Sequence, residues 1–265
     1  MIIPQWPAPD NIKALATGCE LSGSSYNKKG LKGVSLPPYQ SFNLGDHVND
    51  DPLNVALNRQ QLLSQAQGCE DIRWLQQVHG TDCPEANTID NGHQADASYS
   101  GKVGQACAVM TADCLPVLFC DLQGSQVAAA HAGWRGLAQG ILTNTLKTFT
   151  DNGIPLGQVI VWLGPAISQS AFEVGPEVRR AFSTHADGMP WADAKCFVTG
   201  DQDRWQADLY RLARLQLEKL GVKGIYGGEE HFCTYSNTDE NSEFRFFSYR
   251  RQPITGRQAS LIWLV

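Results

Sequence analysis

Long apolar runs are missing from this chain. No stretch approaches the roughly 20 residues that a membrane-spanning helix needs, so no membrane partner is expected. Positive charge is also in short supply. Lys and Arg number 21 against 27 Asp and Glu, giving a net charge of −6 and a pI of about 5.5. Neither a nucleic-acid backbone nor an anionic lipid surface is an expected partner. Eight cysteines are present, but they are scattered and form no Cys-x-x-Cys pair. The opening Met-Ile-Ile-Pro-Gln-Trp-Pro lacks the basic and apolar regions of a signal peptide. Reduced thiols in a cytoplasmic protein are the expectation.

What is present is enough apolar residue for a sizeable core: 42% hydrophobic and 18% charged over 265 residues. With no repeat, low-complexity tract or linker, residues 1–265 read as a single domain. Residues 1–10, with three prolines, read as an extended arm, and the Ser-, Gly- and Lys-rich 22–33 as a mobile loop. Asp50–Gly68 reads as a helix capped by Asp50 or Asp51, with Pro52 in its first turn. Ile72–Val78, Ala106–Thr111, Leu115–Asp121, the run to Ala130, and Val159–Leu163 read as strands. Gly136–Thr150, with Leu137, Ile141, Leu142 and Leu146 on one face, reads as a helix, as do Glu177–His185 and Ala207–Leu220. Gly224–Tyr226, Phe244–Tyr249 and Ser260–Leu264 are expected to close the chain as strands. Strands and helices mix without strict alternation, so the expected class is α/β, a layered sandwich with a mixed β-sheet.

Three polar residues stand where these apolar runs stop. His79 precedes Gly80, Cys114 stands between Asp113 and Leu115-Pro116, and His131 opens Ala-Gly-Trp-Arg-Gly. Each alone has a bland structural reading, as Cys19, Cys69, Cys107, Cys120 and Cys196 do. Together, at strand ends that can share one sheet edge, they make a candidate site. Two imidazoles and a thiolate form a zinc shell with a fourth position for water or substrate. Gly133 and Gly136 around a helix start, with the fork of Arg135, suit phosphate or a substrate carboxylate, or simply a tight turn. Asp96 and Asp113 are candidate supporting carboxylates or proton carriers. Arg59, Arg250 and Arg251 read as surface or helix-face charges. His47, His93, His185 and His231 are weaker candidates.

The blocks Gln77–Thr81, Ala95–Ser98, Val109–Leu118, Ala130–Gly136, Leu163–Ile167 and Phe172–Gly175 resemble the YfiH family. So do Ser41–Gly45, Val48–Asn58 and Phe247–Arg257. Family members have been described as multicopper polyphenol oxidases, as purine nucleoside phosphorylases with adenosine deaminase activity, and as a peptidoglycan editing factor. The resemblance implies a fold grouped with cysteine-hydrolase-like toxins, metal ligands at His79, Cys114 and His131, and a substrate contact at Asn43 in the Ser41–Gly45 block. One departure falls before that block, where the family's usual arginine is missing or replaced by Lys28, Lys29 or Lys32. Lysine keeps the charge but loses the fork.

Among these activities, a multicopper cluster needs paired His-x-His motifs, and the six histidines here form none. Copper uptake at a nitrogen and sulfur shell would be adventitious. The His-x-Glu and Pro-Cys-x-x-Cys signature of zinc deaminases is also absent. The implied function is a zinc-dependent purine nucleoside phosphorylase acting on adenosine, inosine, guanosine and methylthioadenosine. Arg135 would hold phosphate and Asp113 or Asp96 would manage a purine proton, with Phe42, Trp134 or Tyr249 available to stack the base. Substrate contacts would then fall at Asn43, Asp96, Gly133 and Gly136. Alternatives are an amidase acting on a wrongly loaded nucleotide-linked cell-wall precursor, a metal-free hydrolase with Cys114 as nucleophile and His131 as base, and a structural zinc clip.

Overall fold

The computed structural model describes residues 1–20, 32–183, 195–229 and 232–265. The Ser22–Gly33 segment is therefore outside the described residues except at Lys32 and Gly33, and His185 and His231 fall outside them altogether.

Two mixed sheets carry the architecture. The first has four strands in the order Ile12–Ala16, Gln258–Leu264, Gln105–Thr111 and Asp71–Arg73, antiparallel except for the last pair. The second has five, in the order Gly224–Gly227, Val159–Leu163, Leu115–Asp121, Val127–Ala132 and Ala97–Ser100, antiparallel except for the first pair. Alternating side chains sort to opposite faces of a strand, and three buried clusters follow from that alternation. Cys107, Val109 and Ile262 of the first sheet meet Leu118, Ala129 and Trp162 of the second. The outer face of the second sheet, through Val117, Phe119 and Ala130, is covered by Leu142, Leu146 and Phe149 of one helix and by Leu212 and Leu217 of another. The outer face of the first, through Ala108, Met110 and Leu261, is covered by Phe42, Leu44 and Leu62. The layers run helix, sheet, sheet, helix, and both sheets are mixed.

Local chemistry explains most element boundaries. The first helix runs Pro52–Gln65, with the Asp51 carboxylate accepting from the Leu53 N–H at 2.9 Å. The expected Gly136–Thr150 helix is two helices, Trp134–Gln139 and Ile141–Asp151. Gly140 separates them at φ 99°, a left-handed conformation that glycine adopts without strain. Leu137, Ile141, Leu142 and Leu146 are all buried, as their spacing implies. Ala207–Leu220 becomes Leu209–Lys219, capped by Asp208 through the Arg211 N–H at 2.9 Å. Within Glu177–His185, the helix spans Pro176–Ala181.

Two expected strands differ. Ile72–Val78 divides into Asp71–Arg73 and Leu75–Gln76, which pair with different partners. At the break the Trp74 N–H donates to the Asn91 side chain at 2.9 Å instead of a neighbouring strand. Phe244–Tyr249 is no strand at all. Phe246 and Phe247 are buried as expected of an apolar run, but their backbone is held by side chains: Gln258 bonds both polar groups of Phe247, and Arg251 donates to the Phe246 carbonyl. Near the amino terminus, Ile2 and Ala16 exchange two backbone hydrogen bonds, which ties the proline-rich arm to the first sheet. Among the described residues, no helix is long and apolar enough to cross a membrane.

Candidate metal centre

The chain crosses from the first sheet to the second at Ala112-Asp113-Cys114, between the strands ending at Thr111 and starting at Leu115. Pro116 does not stop the second strand but lies within it, opposite His131. Leu115 pairs with Ala132 in the same register, so Cys114 emerges next to Gly133. This places one thiol and one imidazole side by side at one end of the second sheet. The third group comes from elsewhere. His79 follows the short strand Leu75–Gln76, which belongs to neither large sheet, so the expected single shared edge is replaced by a junction of three segments.

His79, Cys114 and His131 each turn one ligand atom inward, and these atoms lie within 4.8 Å of one another. The Cys114 Sγ stands 4.0 Å from His79 Nε2, and the two imidazole rings meet edge to face with centroids 4.8 Å apart.

One carboxylate arranges two of the three groups. Asp96 is wholly buried, and its oxygens accept from the backbone N–H groups of Val78, His79 and Gly80 at 3.0, 2.9 and 2.7 Å. Successive N–H groups converging on an anion form a nest. The nest holds His79 in the left-handed region at φ 61°, uncommon for a residue with a Cβ. Asp96 also meets His131 Nδ1 at 2.8 Å, which leaves Nε2 of that ring for the cluster. Gln77 adds a reciprocal pair of bonds to the backbone of Met110, at 2.7 and 2.8 Å, tying the His79 segment to the strand that leads to Cys114.

Electrostatics follow from this packing. Burial works against ionisation of Cys114, but the charge on His131 and hydrogen bonds from both imidazoles outweigh it, bringing the thiol down to about 6. Burial likewise opposes the charge on His131, but the Cys114 thiolate and the Asp96 carboxylate overcome it and raise the ring to about 9. Asp96 is buried too, yet the His131 interaction and the N–H donors hold it below its usual range.

The residues fit a metal ion. A tetrahedral ion with bonds of roughly 2.0–2.3 Å spaces its ligand atoms about 3.5 Å apart, so the cluster needs only a small inward adjustment. Gly133 provides the room: a Cβ there would lie 2.9 Å from the His79 ring, 3.1 Å from Cys114 Sγ and 3.4 Å from the His131 ring. Gly136 admits a second close approach, since a Cβ would fall 2.8 Å from the Gly80 carbonyl oxygen. Both glycines therefore fit backbone around the cluster, and neither place requires a substrate contact. Among the described residues this is the one group of three or more such side chains placed to share an ion.

The other candidates fall differently. Asp96 acts as a brace, not a substrate contact, because its oxygens are buried and occupied. Asp113 sits at φ 95° with its carboxylate accepting from the Thr234 hydroxyl at 2.6 Å and the Arg250 N–H at 2.7 Å. It clamps the turn before Cys114 to the carboxy-terminal loops and is not a free proton carrier. Asn43 is fully buried, with its amide divided among Gly45 N–H and carbonyl, Asp50 and the Arg257 N–H. A substrate finds no polar atom left on it. Arg135 is exposed and lies over the Trp134 ring at 4.3 Å. Arg59 and Arg251 are not surface charges but staples onto backbone carbonyls, and Arg250 donates to that of Glu173. Of the aromatic candidates, Phe42 is core, Trp134 is partly buried, and Tyr249 is 57% exposed. Gln77, Thr234 and Arg257 were not singled out from the sequence; Gln77 and Arg257 lie inside quoted blocks, the one available signal.

Residues 26–265 match a family described as multi-copper polyphenol oxidoreductase laccase. The chain is 45% identical to the purine nucleoside phosphorylase YfiH of Escherichia coli K12, over 100% of this chain and 99% of that one. It is 47% identical to a purine nucleoside phosphorylase of Pseudomonas aeruginosa, over 99% and 98%. A crystal structure of a Neisseria meningitidis protein assigned to the DUF152 family superposes with a TM-score of 0.85 at 46% identity, covering 99% of this chain and 98% of that one. The chain belongs to the YfiH/DUF152 family, the family of the multi-copper polyphenol oxidoreductase laccase description.

Proposed function

We propose that the protein is a zinc-dependent purine nucleoside phosphorylase, acting on adenosine, inosine, guanosine and methylthioadenosine, with adenosine deaminase as a side activity. The observation that carries the reading is the convergence of two imidazoles and one thiolate around the space that Gly133 leaves clear, in a chain whose full-length relatives bear the phosphorylase name. Zinc held by His79, Cys114 and His131 would supply Lewis acidity toward an oxygen of phosphate or substrate. The copper description fits less well, because a multicopper cluster needs paired histidines and one three-residue group is found among the described residues.

The protein's own groups account for positioning. Asp96 keeps His131 turned with Nε2 toward the cluster and keeps His79 in place through its backbone. Tyr249, exposed and one residue before the Arg250 whose N–H donates to Asp113, offers a face on which a purine can stack. In phosphorolysis a phosphate oxygen forms a bond to C1′ of the ribose while the glycosidic C–N bond breaks. The electron pair leaves with the base, which then takes up a proton, giving ribose 1-phosphate and free purine.

A second reading draws on one specific observation. Cys114, held near pKa 6 beside His131, has the character of a cysteine nucleophile. His79 has no task in that scheme. The deciding experiment measures hypoxanthine released from inosine by the zinc-loaded protein with and without inorganic phosphate. Phosphate-dependent release, lowered at least a hundredfold in Cys114→Ala together with loss of zinc, is expected. Release that needs no phosphate, or that survives in the variant, overturns the reading.

A further inference from the structure

Arg257 stands at the end of the strand Gln258–Leu264, one residue before the pair Gln258–Thr111. That register sets it beside the Ala112-Asp113-Cys114 turn that delivers the thiolate. Its position is built with care. The Arg257 N–H donates to the buried Asn43 side chain at 2.8 Å. Its stem lies in a slot that only a glycine leaves open: a Cβ on Gly45 would fall 2.8 Å from the Arg257 Cγ. At the guanidinium, Nη1 donates to the carbonyls of Thr255 and Gly256 at 3.1 and 3.0 Å, which fixes the plane of the group.

Nε and Nη2 have no hydrogen-bond partner among the described residues, and no carboxylate lies within ion-pair distance of the group. The charges that act on it are those of the Cys114 thiolate first and then the Asp113 carboxylate. A partly buried guanidinium normally carries a matching anion, and among the described residues none is bonded or ion-paired to it. Two parallel N–H donors on a fixed planar fork suit two oxygens of one phosphate. The other arginines nearby are committed: Arg59 to the Leu44 carbonyl and Asp46, Arg251 to three backbone carbonyls, Arg135 to the Trp134 ring.

We propose that Arg257 is the anion-holding residue of this site, taking two oxygens of inorganic phosphate at the rim of the His79–Cys114–His131 cluster. The assignment rests on the phosphorolytic reading for its substrate and moves the anion from the Gly133–Gly136 turn to the opposite strand end. Tyr249 precedes Arg250, whose N–H is held by Asp113 next to Cys114, so a base stacked on it would lie near the same turn.

The test is titration calorimetry of the zinc-loaded full chain with inorganic phosphate alone, followed by steady-state kinetics with inosine. Arg257→Gln is expected to weaken phosphate binding and to raise the KM for phosphate at least tenfold, with the KM for inosine within threefold and the zinc content unchanged. Arg257→Lys, which keeps the charge without the fork, is expected to fall between. Phosphate binding in Arg257→Gln equal to that of the unsubstituted protein, or a larger loss in Arg135→Ala, overturns the assignment. So does phosphate that fails to bind the unsubstituted protein. Phosphate-dependent cleavage with an unchanged phosphate KM in Arg257→Gln sinks the role of Arg257 and leaves phosphorolysis standing. Phosphate-independent cleavage with phosphate binding lost in Arg257→Gln does the reverse.

Discussion

At Asp96 a single buried carboxylate takes three backbone N–H bonds and one imidazole, so two of the three candidate metal ligands depend on one side chain that would touch no metal. Replacing it with asparagine keeps the shape and removes the charge. Asp96→Asn is expected to lower zinc affinity about 10- to 100-fold, the range seen when such supporting groups are lost. Competition with a chromophoric chelator measures it, and unchanged affinity would show that His79 and His131 hold their positions without it. The pH dependence follows from the same pair of residues. In the metal-free protein, Cys114 is ionised above about 6 and His131 stays charged up to about 9. Between these values the metal displaces one proton, that of His131. Affinity should therefore rise about tenfold per pH unit across this window and flatten above it. A flat profile from pH 6 to 9, measured in the same competition assay, would contradict the ion-paired ground state.

At the scale of elements, Gly133 shows how a helix start is fitted to the cluster. Its φ of −62° suits any residue, so glycine is required by the three side chains it faces, not by its backbone. Gly133→Ala is expected to lower zinc affinity and turnover at least tenfold while reducing stability by only about 1–3 kcal/mol, the range for an added methyl that packing must absorb. Chemical denaturation beside zinc analysis separates the two effects; full zinc binding in a folded variant would place the cluster elsewhere than packed against this backbone. Element boundaries were legible wherever they depend on neighbouring residues. Asp51 and Pro52 announce the first helix, and Asp208 caps another. The errors arose where a distant group intervened. Asn91 interrupts the run after Arg73, Gln258 and Arg251 replace strand pairing at Phe246-Phe247, and the conformation of Gly140 divides a helix whose apolar face is continuous across it.

Across the whole molecule, the cluster joins parts that pack separately. Cys114 lies where the chain passes between the two sheets, His131 within the five-stranded sheet, and His79 on a segment outside both. An ion shared by all three ties the layers together at one end, so its removal should loosen the whole. With free zinc at 100 times its Kd, binding contributes about 2.7 kcal/mol, and a chelator is expected to lower Tm by roughly 5–10 °C in a chain of this size. Calorimetry with and without chelator checks this; an unchanged Tm would mean that the ion does not bridge the layers.

The sequence by itself determined many of the elements and the identity of the three cluster residues, because periodicity, capping and the interruption of apolar runs by His79, Cys114 and His131 are local properties. It also carried the family, through blocks that span most of the chain. Only the tertiary structure decided what the remaining polar residues do. Asp113, Asn43 and Asp96 look alike on paper as polar residues in turns, but each is consumed by its partners, which lie 2 to 214 positions away. Arg135, prominent in its glycine-rich turn, lies over an aromatic ring, whereas Arg257, beside the turn that carries Cys114, keeps two donors unspent among the described residues. A side chain's hydrogen-bonding capacity is fixed by its chemistry, but whether any of it remains for a substrate depends on which distant groups the fold brings within about 3 Å.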